Sequence, residues 1–173
     1  MEKSKKRKKI SITKYDIANR DERGIYRKDE WASISDIGKF YNNELFIYDD
    51  YYKIETLYVN AVNLIMDFFN SNSIEVSHVF KLKIIANAEN KNSLDLLDTY
   101  NFIKKGSVIT DKKTIEDLVR LRLREHIFEL EIYVDKSSKS EILFGFDYYM
   151  YLKTNKNISD LSVKIQNLGL FVL

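Results

Sequence analysis

Cysteine is absent, which excludes a disulfide framework, a thiolate metal site and a cysteine nucleophile. Proline is absent too, so no proline-rich linker divides the chain. The five glycines, Gly24, Gly38, Gly106, Gly145 and Gly169, are isolated from one another, so none belongs to a glycine-rich phosphate loop. There is no G-x-S-x-G elbow. Only two histidines occur, His78 and His126, and neither has a second histidine at metal-ligand spacing. No apolar run approaches the roughly 18–20 residues of a membrane-spanning helix. The basic start is not followed by a continuous apolar segment, so a secretory signal is not expected. These absences are compatible with a cytoplasmic location and argue against a membrane partner.

The chain of 173 residues does contain enough apolar material, 45%, to build one core, alongside 31% charged residues. Its net charge is +2, and Lys5, Lys6, Arg7, Lys8 and Lys9 concentrate five positives in one short segment. Without that cluster the remainder is slightly acidic, a poor composition for a nucleic-acid-binding body. Residues 1–12 therefore read as a basic flexible tail. Residues 13–173 read as a single α+β domain.

Hydrophobic periodicity sets out the elements. Residues 13–48 are polar and turn-rich, with Ser33 or Ser35 able to cap a short helical turn that ends at Gly38. Asp49 or Asp50 then caps a helix whose apolar stripe comprises Ile54, Leu57, Tyr58, Ala61, Leu64, Ile65 and Phe68. Val62 and Phe69 widen the stripe, so burial on more than one side is expected. Val76, Phe80, Leu82 and Ile84 alternate as a strand. A short helix is expected around 93–103. A longer one starts near Asp111 with Ile115, Leu118, Val119, Leu123 and Ile127 on its apolar side.

Phe128, Leu130, Ile132 and Val134 alternate with Glu129, Glu131, Tyr133 and Asp135. The pattern resumes over Ile142, Phe144, Phe146, Tyr148, Met150 and Leu152, which reads as a hairpin. A final helix, 160–168, has Ser159 as its cap and Gly169 as its stop. Residues 170–173 could add a last strand. The expected architecture is an antiparallel sheet, with a hairpin in its C-terminal half, packed against three to four helices.

In a simple register about Ser138, the hairpin sets Glu129 opposite Asp147, Glu131 opposite Gly145 and Tyr133 opposite Leu143. Two directly opposed carboxylates repel unless a metal, a shared proton or a basic group neutralises them. A metal-dependent hydrolase built on that pair is one reading. The outward face as a whole presents Glu129, Glu131, Tyr133, Leu143, Asp147, Tyr149 and Tyr151. Tyrosine offers rigid contact area with a polar tip, and acids steer a basic partner. That face is either a binding surface or the seat of a covering helix. His126 is a candidate general base or a histidine satisfied at a helix C-terminus, and Trp31 is more naturally a core anchor than an interface residue. The basic tail supplies the only expected route to nucleic acid. No cofactor and no resident metal site are expected.

Three stretches carry a resemblance: Tyr26 to Lys39, Arg120 to Glu125, and Phe144-Gly145-Phe146-Asp147-Tyr148-Tyr149-Met150-Tyr151. They resemble small, largely uncharacterised bacterial proteins associated with immunity in toxin systems, over the chain from about residue 13. The resemblance implies a non-enzymatic inhibitor that neutralises a cognate toxin, commonly a nuclease, by direct protein–protein contact. It carries over no catalytic motif.

Overall fold

The computed structural model describes residues 6–82 and 95–173. It shows one α+β domain: a seven-stranded antiparallel sheet with helices packed on one side. The strands run β1 (Lys8–Thr13), β2 (Phe40–Tyr41), β3 (Glu44–Leu45), β4 (Ile74–Lys81), β5 (Val108–Ile109), β6 (Ile127–Asp135), β7 (Ser140–Phe144), β8 (Tyr149–Thr154) and β9 (Phe171–Val172). The α-helices are α1 (Tyr48–Phe68), α2 (Leu97–Phe102), α3 (Lys112–Leu123) and α4 (Ser159–Leu168). The large sheet has the order β5-β4-β6-β7-β8-β1-β9, and β2 and β3 form a separate hairpin. No helix among the described residues is long and apolar enough to cross a membrane.

The basic segment is not free from Lys8 onward. Residues 8–13 form β1, an interior strand paired in register with β8 and flanked on its other side by β9. Ile10 and Ile12 alternate with Lys9 and Ser11, and Ile12 is fully buried opposite Met150. Two apolar residues among lysines give too short a pattern to announce a strand, but the sheet supplies partners on both sides.

The long helix α1 has the expected stripe. It buries Tyr58, Ala61, Val62 and Ile65 and packs between α3 and α4. Its N-cap is Ile47, with Asp49 and Asp50 inside the first turn, where they still face the positive helix end. Asn70, with φ of 51°, turns the chain out of the helix. Asp111 caps α3 by accepting from the Thr114 amide. Ile158 stands at the N-cap of α4, so Ser159 is its first residue and not its cap. Gly169 at φ 104° ends that helix as expected. Ser33 caps the short turn Ile34–Asp36 in a full capping box. The expected helix at 93–103 appears as α2; residues 83–94, including the expected strand position Ile84, lie outside the described residues.

A buried ion pair joins helix to sheet entry. The Arg124 guanidinium donates through Nε and a terminal nitrogen to both oxygens of Glu55, at 2.7 and 2.9 Å. Both side chains are under a tenth exposed, and the Tyr51 hydroxyl also donates to Glu55. Trp31 packs onto the core as expected, stacked on Phe46 at 4.3 Å and edge-on to Tyr148 at 5.1 Å.

The C-terminal hairpin departs from expectation in two ways. Its register sets Glu131 opposite Leu143 and Tyr133 opposite Glu141, two residues from the simple alignment, with an irregularity between Tyr133 and Asp135. The Asp135 carboxylate gathers Ser137 and Ser138 into the connecting turn, which draws the loop to one side. The run 142–152 is also two strands and not one. Between β7 and β8 the chain reverses at Asp147 and Tyr148, both at positive φ (51° and 59°), with the Tyr149 amide donating to the Phe146 carbonyl. That is the backbone of a type I′ hairpin turn without glycine at its two central positions. Left-handed backbone at each of these two residues costs on the order of 1–2 kcal/mol. Burial of the Tyr148 ring against Trp31, Tyr51 and Tyr58 holds the turn in place.

Candidate functional site

Burial alternates along the central strands and separates two faces. Leu130, Ile132, Ile142, Phe144, Met150, Leu152 and Ile12 face the helices and are buried. The opposite face is open, with no helix of the described residues lying on it. Pairing aligns its residues in rows. One row runs His78, Glu131, Leu143, Tyr151 and Ser11; the next runs Glu75, Tyr133, Glu141, Lys153 and Lys9. The β4–β6 half is therefore acidic and the β8–β1 half basic.

Five of the six residues expected to bind a partner lie on this face: Glu129, Glu131, Tyr133, Tyr149 and Tyr151. The sixth, Asp147, sits in the exposed β7–β8 turn at one end of it. Tyr149 and Tyr151 stack at 6.3 Å, and the Lys9 ammonium lies 3.8 Å over the Tyr151 ring. The Tyr149 hydroxyl takes a hydrogen bond from Arg20 of the lead-in, and its ring lies 5.6 Å from Tyr15. Tyr133 borders a surface cavity of about 360 Å³ with Phe69, Glu75, Val108 and Lys136.

The expected carboxylate pair does not form. Glu129 reaches back to β4, where it meets His78 Nε2 at 2.6 Å, and the observed register carries its position toward Gly145. No group of three or more His, Cys, Asp or Glu side chains that could hold a metal occurs among the described residues. His126 is buried just before β6. Burial first, and then the neighbouring Arg124 charge, push its pKa below the usual histidine value, which favours the neutral ring.

Other acids of the open face carry counter-charges. Glu141, buried although it lies on this face, is held by Arg7 at 3.2 Å and Lys153 at 2.9 Å. Glu75 meets Lys136 and Asp135 meets Lys156. Serine donors gathered around the Asp135 carboxylate hold its pKa well below the ordinary carboxylate range.

One feature of the face runs against the expectation for single residues. Phe80, Phe128 and Phe146 form a contiguous exposed cluster, with ring centroids 6.2 Å apart for the first pair and 5.4 Å for the second. All three read as core positions in the alternating pattern. Phe128 is outside because the β4–β6 pairing shifts register between Phe80 and Lys81, and Phe146 because the turn ejects it. The signal available in the sequence was the adjacent apolar pair Ile127-Phe128, of which a strand can bury only one member.

No family model, curated protein or solved structure matches this chain.

Proposed function

We propose that the chain is a non-enzymatic binding protein of the immunity or antitoxin kind, acting in the cytoplasm, which neutralises a cognate bacterial toxin by direct contact through its open sheet face. The observation that carries this reading is that face itself: a wide antiparallel surface, uncovered by helices of the described residues, with Tyr133, Tyr149 and Tyr151 beside Glu129, Glu131 and Asp147. Rigid tyrosines with polar tips suit protein contact, and the acidic half suits a basic partner such as a nuclease surface.

The test is a pull-down with tagged protein from lysate of the source organism, followed by calorimetry and inhibition assays with the captured partner. A stoichiometric complex in which the partner loses its toxic activity is expected. Replacing Glu129, Glu131 and Asp147 together by alanine should weaken binding by about tenfold or more, in line with loss of well-placed interface charges. A folded triple variant that binds unchanged, or a captured partner left fully active, would sink the assignment.

A further inference from the structure

The phenylalanine cluster occupies one corner of the open face. Phe80 comes from β4, Phe128 from β6 and Phe146 from the β7–β8 turn, and they are 53%, 38% and 64% exposed. Apolar rings in mutual contact and open to water mark an interaction site more often than scattered single ones do. The turn that presents Phe146 holds Asp147 and the bulky Tyr148 at positive φ, where the β2–β3 turn uses Asn42 and Asn43, residues that tolerate that backbone. Strained backbone that the surrounding packing over-determines is concentrated at functional sites. Gly145, just before the turn, is required by close approach: a Cβ there would lie 2.9 Å from the Tyr151 ring and 3.3 Å from the Tyr149 carbonyl oxygen. The buried Arg122 guanidinium also donates to the Gly145 carbonyl.

Beside this corner the open face carries two carboxylates without an ion-pair partner among the described residues. Glu75, Asp135 and Glu141 have lysine or arginine partners and Glu129 has His78. Glu131 and Asp147 have no ion-pair partner among the described residues. Glu131 lies two residues beyond Glu129 on the same face, and Asp147 directly follows Phe146.

Resting on the binding reading above, we infer that the Phe80–Phe128–Phe146 corner is the anchor of the interface, and that its occupant is a protein surface in which arginine or lysine flanks an apolar side chain. A guanidinium can lie on a phenylalanine ring and pair with a carboxylate in the same pose. An apolar side chain between the charges would cover the rings. An acidic or neutral occupant would bury Glu131 and Asp147 without partners. An anionic lipid surface would be repelled by them. A second copy docked about a two-fold axis at this corner would set the same carboxylates against each other.

The test uses the full chain and a defined probe: a short synthetic peptide alternating arginine and leucine, with a glutamate–leucine peptide as its counterpart. Both are titrated into isotope-labelled protein and followed by amide NMR shifts. The basic peptide is expected to move Phe80, Glu131, Phe146 and Asp147 in a saturable manner, and the acidic one to leave them in place. Phe146→Ser should raise the peptide's Kd by about tenfold, the scale of losing an anchor side chain. Asp147→Asn keeps a residue that tolerates positive φ and should lower the salt dependence of binding. If Phe146→Ser disturbs the fold, Phe80→Ser in the regular strand serves the same purpose. Shifts confined to another surface, equal binding of both peptides, or no binding would overturn the inference. The two ideas fail separately. A pull-down without a toxin removes the inhibitor reading even where the peptide binds the corner. A toxin bound equally by wild type and Phe146→Ser removes the anchor and leaves the inhibitor reading intact.

Discussion

At the scale of single residues, the buried ion pair Glu55–Arg124 is the most exposed to damage by mutation. Arg124 makes two hydrogen bonds to one carboxylate and covers the Tyr52 ring. Its charge is further stabilised by Glu55, which pushes the guanidinium pKa above its usual value even against the cost of burial. Removing Arg124 leaves the buried Glu55 with only the distant Arg120, at 4.0 Å, as a counter-charge among the described residues, and breaking a buried pair costs about 3–5 kcal/mol where nothing else compensates, so the loss here is at most of that order. Arg124→Ala is therefore expected to lower the urea midpoint strongly. The Glu55→Leu, Arg124→Leu double variant should recover part of the loss, because no charge then remains buried. If Arg124→Ala left the midpoint unchanged, the pair would be structurally idle. In the sequence Arg124 stands within the stretch Arg120 to Glu125, where nothing local pairs it. Glu55 lies 69 residues away and had no local signal connecting it to Arg124.

At the scale of elements, β1 shows how a strand can hide in a charged segment. Its interior position, between β8 and β9, makes it essential. Deleting 1–13 should abolish cooperative unfolding in circular dichroism, because it strips one edge of β8 and removes Ile12 from the core. Ile12→Ala alone should cost about 2–5 kcal/mol. A cooperative transition in that deletion would show that β1 is dispensable after all. The helices and β6 were legible because their periods extend over many residues, and that length is what β1 lacks. The β7–β8 turn was hidden for a different reason. In a hairpin closed by a tight turn, Phe144 and Met150 are cross-strand partners on one face, so even-numbered residues stay on the inside before and after the reversal. The alternation passes through the turn without a break, and only Gly145 and Asp147 hint at it. The same continuity hides the phenylalanines: the alternation places Glu129, Glu131, Tyr133, Tyr149 and Tyr151 on the face away from the helices, where they lie, but places Phe80, Phe128 and Phe146 in the core, where they do not.

At the scale of the whole molecule, the aromatic lead-in couples stability to alkaline pH. Lys14 follows β1 with its side chain 3% exposed and its ammonium over the rings of Trp31 and Tyr15 at 4.1 and 4.3 Å and beside Glu30 at 3.2 Å. Burial outweighs Glu30 and lowers its pKa from 10.5 to about 8. Between those values the unfolded chain holds a proton that the folded chain has released. Stability therefore rises with pH across that window and is lower below it. The buried phenols act in the opposite sense. Burial raises Tyr15, Tyr51, Tyr58 and Tyr148 above the ordinary value of 10.0, so the unfolded chain ionises first and stability falls as pH climbs past about 10. The sum is a maximum near pH 9–10, with a gain on the order of 2 kcal/mol over pH 8 from Lys14. Urea unfolding followed by the fluorescence of Trp31 at successive pH values measures it directly. Lys14→Met should remove the rise from pH 8 to 10 while keeping the fall above 10, since the tyrosines are untouched. A rise that persisted in Lys14→Met would assign it to some other base, and the buried ammonium would then have no part in the alkaline behaviour of the fold.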